Sequence, residues 1–239
     1  RRQRQMCIRD RICVKPKNTQ EISKILKLAN KFTIPIIPIG GSTGLVGGQI
    51  ASQSNHVTLS LEKLDTINFF KDSNLLYVQS GAILSNIKKL AFNNGRLFPL
   101  SLASEGSCQI GGNLATNAGG LNVIKYGNIR DLCLGLEAVL PCGQIVSTMK
   151  PLKKNNMGFD LKNLLIGSEG TLGIITSTIL KTFPIPKDPI SVFLSIKNLA
   201  DVLFVFEKIS REFSERLLAF ELIKMTGIDF IEETGFTIK

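Results

Sequence analysis

Ile34-Pro35-Ile36-Ile37-Pro38-Ile39-Gly40-Gly41-Ser42-Thr43-Gly44-Leu45-Val46-Gly47-Gly48 carries a short apolar run, punctuated by two prolines, into a loop with five glycines. The prolines fix φ and keep the run extended. The glycines, having no Cβ, let the backbone approach a ligand closely. Successive N–H groups in such a loop can converge on an anion as a nest, with no lysine required. Two further clusters follow, five glycines in Gly106–Gly120 and three in Gly167–Gly173, so 13 of the 21 glycines lie within 31 residues. Small polar residues accompany them: Ser42 and Thr43 in the first, and Ser107, Asn113, Thr116 and Asn117 in the second. A single cluster reads as tight turns as readily as a binding loop. Together the clusters point to a diphosphate held mostly by main chain.

Established phosphate motifs do not account for them, because the chain contains no GxGxxG after a strand and no GxxxxGK[ST]. Gly40-Gly41-Ser42-Thr43-Gly44 does fit the G-x-S-x-G pattern of a serine nucleophile. Leu45-Val46-Gly47-Gly48 does not open a helix, however, and the single histidine, His56, follows too soon after Ser42 to be the usual base. One imidazole also argues against zinc or di-iron chemistry, and no metal site is assigned.

Outward from the first loop, Asn18–Phe32 reads as a helix capped by Asn18 and Glu21, with Ile22, Ile25, Leu26 and Ala29 on one face. Segments 57–61, 66–70 and 75–79 read as strands, the last two joined by a turn over 71–74. Helix 83–93 has Gly95 as its stop. Segments 132–140 and 144–148 form a hairpin about Pro141-Cys142-Gly143, and 173–183 is another β-rich run. Strands and helices alternate without a regular βαβ period, which predicts an α+β fold with mixed sheets. Pro184, Pro186 and Pro189 mark a domain boundary, beyond which strand 191–196, helix 199–213, strand 217–223 and helix 225–234 begin a second, α/β unit.

The chain has 239 residues, 44% hydrophobic and 20% charged, a globular composition with no apolar run long enough to span a membrane. Its net charge is +10, of which residues 1–11, RRQRQMCIRDR, supply +4. That segment has no apolar core of a signal peptide, reads as a non-native leader and is set aside. The remaining lysines are dispersed and not interleaved with aromatics, which argues against nucleic-acid binding. Five cysteines without a CxxC pair fit reduced thiols and a cytoplasmic setting.

The three glycine segments, IPIGGSTGLVGG, SCQIGGNLATNAGGLNVIKYGNIRDLCLGLEAVLPCGQIV and NNMGFDLKNLLIGSEGTLGIIT, in this order and spacing, resemble the FAD-linked oxidases of the p-cresol methylhydroxylase and vanillyl-alcohol oxidase type. The resemblance is strongest to the branch holding D-2-hydroxyglutarate dehydrogenase, D-lactate dehydrogenase and the glycolate oxidase flavin subunit, and it covers residues 12–239. It implies a two-subdomain FAD-binding domain over 12–184 and the start of a substrate domain over 185–239, both chain ends being truncations. Pro38, Gly40, Gly41, Ser42, Thr43, Gly44, Gly47 and Gly48 match the family's first pyrophosphate loop. Ser107, Gly111, Gly112, Asn113, Thr116, Asn117, Gly119 and Gly120 match the second, followed by Tyr126 and Gly127. Glu169, Gly170, Gly173, Ile174 and Ile175 match the segment along the adenosine and ribityl portion.

The implied activity is FAD-dependent oxidation of a D-2-hydroxy acid to the 2-oxo acid by hydride transfer to flavin N5, with a protein or quinone as electron acceptor. The alternatives are a non-catalytic flavin-binding subunit and another oxidoreductase of the same fold. The family's metal and substrate-clamp residues belong to its later domain, so no catalytic residue is expected in this chain. Gln109 stands where relatives often have a histidine, and FAD is expected to be non-covalent, with Cys108 a buried thiol. Ser101, Glu105 and Phe159 depart from the family's usual residues. His56 is expected to face solvent.

Overall fold

Val57, at the start of a strand, pairs in parallel with Ile12 on one side and Ile36 on the other, which makes its strand the centre of a small sheet. The structure, a computed structural model, describes residues 12–51, 55–150, 152 and 156–234; residues 1–11, where a leader is expected, lie outside them. The strands are β1 (Ile12–Val14), β2 (Ile36–Ile39) and β3 (Val57–Ser60), in the order β1-β3-β2. Between β1 and β2 runs helix α1 (Thr19–Lys31). The Asn18 side chain accepts from the Glu21 N–H at 2.9 Å, while the Glu21 carboxylate accepts from the Lys17 N–H at 2.7 Å, so the cap closes on both sides. Ile22 and Leu26 of α1 pack with Leu59, Leu61 and Leu64 into one apolar cluster. His56 is 4% exposed, not solvent-facing as expected: it leads directly into β3, the central strand of this sheet.

Next come β4 (Ile67–Phe70) and β5 (Leu75–Gln79), joined by a turn in which Asn74 has φ +55°. Helix α2 (Leu84–Asn93) ends at Gly95, whose φ of +69° is the left-handed stop glycine tolerates best. β6 (Arg96–Leu97) and three short helices, α3 (Ile110–Ala115), α4 (Val123–Tyr126) and α5 (Ile129–Leu132), lead into β7 (Cys133–Val139) and β8 (Ile145–Ser147). The turn between β7 and β8 docks on α1, where Ser23 Oγ donates to the Gly143 carbonyl at 2.5 Å. Helix α6 (Leu161–Leu165) precedes β9 (Ile174–Lys181) and β10 (Phe183–Pro184), which pairs antiparallel with β6.

The second sheet is antiparallel, in the order β4-β5-β9-β7-β8. Its inner face, with Leu76, Val78, Leu136 and Leu180, packs against Leu84 and Ile87 of α2, Ile110 and Leu114 of α3, and Phe98 in the main core. Full burial of each such side chain contributes about 1.5–3 kcal/mol.

Helix α7 (Leu199–Phe213) starts at Asn198, which accepts from the Asp201 N–H at 2.9 Å, and α8 (Met225–Glu233) follows. The strands expected at 191–196 and 217–223 are not formed. Apolar composition makes a strand only where a partner supplies the ladder, and among the described residues none does. Phe193 is 90% exposed.

Cys13 and Cys142 are exposed, Cys108 and Cys133 buried, and burial pushes the Cys133 thiol up, which keeps it protonated at neutral pH. In a thiol-labelling experiment mapped by mass spectrometry, Cys13 and Cys142 are expected to react within minutes at pH 7.5, and Cys108 and Cys133 only after unfolding. Labelling of Cys133 in the native chain would contradict this packing.

Candidate cofactor site

The carboxyl end of β2, the segment around α3 and the entry to β9 meet at a cleft of about 180 Å³. Sixteen of the residues that match the family's cofactor segments line it: Pro38, Gly40, Gly41, Ser42, Thr43, Gly44, Gly48, Gly111, Gly112, Asn113, Thr116, Glu169, Gly170, Gly173, Ile174 and Ile175. Gly47, Ser107, Asn117, Gly119, Gly120, Tyr126 and Gly127 do not. Ile39, Val46, Gln49, Leu61, Cys108, Gln109 and Ala115 complete the lining. Of these seven, the resemblance singles out Cys108 and Gln109; Ile39, Val46, Gln49 and Ala115 are marked only by lying beside the glycine clusters, and Leu61, 13 residues after Gly48, by nothing in the sequence.

The segments are held together by backbone contact. A Cβ on Gly41 would lie 2.0 Å from the Ser107 carbonyl oxygen, so the first and second segments touch main chain to main chain. The Gly111 N–H donates to the Ser80 carbonyl at 2.8 Å, and Ser80 Oγ donates to the Ile175 carbonyl at 2.6 Å, which joins the second segment to β9. The Gly167 and Glu169 N–H groups donate to the Leu114 and Ala115 carbonyls at 3.1 and 2.9 Å, setting the third segment on the end of α3. Ser42, Asn117 and Glu169 are non-glycine residues with φ near +50°, a strained conformation of the kind that gathers at functional sites.

The residues outside the lining support those inside it. The Ser101 carbonyl lies where a Cβ on Gly120 would be, at 2.2 Å. Tyr126 packs against Phe183 in a tilted pair, 4.7 Å between ring centroids, and burial pushes its phenol up. Glu105 pairs with Lys88 at 2.5 Å, so neither it nor Ser101 enters the cleft despite departing from the family pattern. Phe159 is exposed and also outside it.

Two features of the cleft fit a large polar cofactor. Gln109 Oε1 and Asn113 Oδ1 are buried with no hydrogen-bond partner, a costly state that a ligand with donors would relieve. A Cβ on Gly44 or Gly112 would meet nothing within 4 Å, so glycine there leaves open space, not tight packing. Among the described residues Glu169 is the one charged residue in the lining, and a bound diphosphate would rest on neutral N–H groups and hydroxyls. Ile39, Leu61, Ile174 and Ile175 give an apolar wall suited to an aromatic ring.

Residues 11–149, more than half of the chain, match the family described as FAD binding domain. The chain is 39% identical over 230 residues to a putative D-lactate dehydrogenase, mitochondrial, of Schizosaccharomyces pombe, covering 95% of this chain and 43% of that protein. It is 39% identical over 214 residues to D-2-hydroxyglutarate dehydrogenase, mitochondrial, of Bos taurus, covering 89% and 39%. The chain thus spans about two-fifths of the length of these curated relatives. Among solved structures, alkyldihydroxyacetonephosphate synthase superposes with a TM-score of 0.66 at 27% identity over 74% of this chain and 32% of that one. The grass pollen allergen Phl p 4 shares the fold, with a TM-score of 0.63 at 19% identity over 73% and 35%.

The relatives correct one expectation. Both curated proteins are named as mitochondrial, so the cytoplasmic setting inferred from the cysteines does not stand; free thiols specify a reducing milieu, not a compartment. The fold of mixed parallel and antiparallel sheets and the matched segment agree with the glycine pattern, and the chain belongs to the FAD-binding domain family of the p-cresol methylhydroxylase type.

Proposed function

We propose that this chain holds FAD non-covalently in the glycine-lined cleft, as the flavin-binding part of a dehydrogenase that oxidises a D-2-hydroxy acid to the 2-oxo acid. The observation that carries the cofactor half is the cleft itself, with buried unpartnered amide oxygens on Gln109 and Asn113. The names of the relatives support the substrate half, with 2-hydroxyglutarate and lactate as first candidates, and glycolate is a third that rests on the sequence resemblance alone. When bound, the flavin supplies the hydride acceptor for C2 of the hydroxy acid, and a separate protein or quinone takes the electrons onward.

In this reading the main-chain N–H groups of Gly40–Gly44, Gly48 and Gly112 take the diphosphate, aided by the Ser42 and Thr43 hydroxyls, while the Gly111 N–H stays bonded to the Ser80 carbonyl. Asn113 and Gln109 hydrogen-bond the ligand's donors, and Glu169 accepts from a sugar or ribityl hydroxyl. Leu61, Ile174 and Ile175 exclude water from the ring. Ser107, Asn117, Gly119, Gly120, Tyr126, Gly127 and Gly47 act one step back, by fixing the loops. Residues 12–184 form the flavin-binding unit and 185–239 the start of a substrate unit, to which the chemistry on the hydroxyl proton is assigned.

The test is an FAD titration followed by spectra before and after denaturation. The expected result is a yellow protein that releases all its flavin on acid precipitation and shows no measurable turnover of D-2-hydroxyglutarate, D-lactate or glycolate by this chain alone. Flavin retained on the precipitate would place a covalent bond, with Cys108 the thiol in the cleft to examine. A folded chain that FAD does not perturb would overturn the reading.

A further inference from the structure

We infer that Arg130, which lies outside the cleft, is a positioning residue that sets the width of the cofactor site by pinning the third glycine segment to the second. The inference rests on the flavin-binding reading proposed for this cleft. Arg130 belongs to α5, and its backbone N–H donates to Asn117 Oδ1 at 3.3 Å, at the end of the second glycine segment. Its guanidinium reaches the other way: Nη1 donates to the Asn163 carbonyl and Nη2 to the Ile166 carbonyl at 2.6 Å. These carbonyls belong to the last turn and C-cap of α6, where main-chain acceptors run out of helical partners.

The next residue is Gly167, which has φ +85° and opens the third segment. A Cβ there would lie 3.0 Å from Arg130 Nη2, so the guanidinium packs directly beneath the turn. Two and three residues on, Glu169 and Gly170 line the cleft, and Glu169 Oε2 lies 3.6 Å from the position of a Cβ on Gly48 in the first segment. Displacing residues 167–170 therefore moves one wall of the cleft against the other. Among the described residues no carboxylate forms an ion pair with Arg130, so its side-chain hydrogen bonds go only to main-chain carbonyls. A planar fork can serve two carbonyls at once, and the single ammonium of lysine cannot hold the same geometry.

The experiment compares the unmodified chain with Arg130→Met, Arg130→Lys and, as a control for lost packing, Phe69→Ala on the edge strand β4. Three quantities are read: the FAD Kd by flavin fluorescence at 15 °C, apo Tm, and hydrogen exchange of the Gly167 and Glu169 amides without ligand. Arg130→Met is expected to raise Kd roughly tenfold or more and to speed exchange at both amides, Arg130→Lys to do so by a smaller factor. Phe69→Ala should lower Tm without changing Kd or that exchange. An unchanged Kd in Arg130→Met, with the unmodified chain binding FAD, would overturn this inference alone. If Arg130→Met does not fold, a Kd for Arg130→Lys equal to that of the unmodified chain would do the same. Failure of the unmodified chain to bind FAD would overturn both this inference and the flavin-binding reading beneath it.

Discussion

Replacing Gly112 by valine is expected to remove measurable FAD binding, at least about a hundredfold in Kd or 2.7 kcal/mol, while the apo chain keeps its stability. Gly112 sits in α3 and lines the cleft, and a Cβ there meets no atom within 4 Å. Within a helix, glycine costs roughly 0.5–1 kcal/mol relative to alanine, so the added Cβ clashes with nothing and some backbone entropy is saved. The isopropyl group instead fills space facing Gly40, whose own Cβ position is 3.8 Å from Gly112 Cα. A thermal melt and a fluorescence titration on the same sample check both halves. Parent-like FAD affinity in Gly112→Val would remove the cleft from consideration as the flavin site.

Gly41→Ala is expected to behave in the opposite way, losing stability and FAD binding together. The added Cβ would lie 2.0 Å from the Ser107 carbonyl oxygen and 2.9 Å from Cys108 Cα, and both are backbone atoms that no rotamer change can move. Relief requires the first and second glycine segments to separate, at a cost of about 3 kcal/mol for an overpacked contact of this kind. Urea denaturation of the apo protein measures that loss, and the widened cleft should bind FAD at least tenfold more weakly under conditions where the variant is still folded. Full stability in Gly41→Ala would mean that the two segments do not touch. The two glycines look alike in sequence, yet one keeps space open for a ligand and the other lets two backbones meet.

That distinction marks the limit of what the amino-acid pattern conveyed. Strands 67–70, 75–79 and 133–139 and the helix after Asn18 follow from period, caps and turn residues, and all are present. The α3 helix inside the second glycine cluster was not legible, because Ile110-Gly111-Gly112-Asn113 has poor helix propensity. Its stability is tertiary: Ile110 and Leu114 are buried in the main core, and Gly111 backs directly onto Ser80. β1, β6 and β10 are two or three residues long, and only their partners define them. The burial of His56 is hidden for a related reason, since its polar neighbours carry no sign that the strand it enters is the central one of its sheet. Arg130 carried no signal either, as its role depends on carbonyls more than thirty positions away.

The central strand of the antiparallel sheet, β9, has a consequence for how the chain is made. It lies between β5 and β7 but is the last of the five strands to leave the ribosome, and Leu75 must wait for Lys181 to find its partner. Until then the β4-β5 and β7-β8 pairs each lack the neighbour that joins them in the sheet, and isolated hairpins are marginal in water. Edges left unpaired during that interval are open to wrong edge-to-edge pairing. The same topology means that a fragment ending at residue 149, where the family match stops, would be cut in the middle of a hydrogen-bonded sheet.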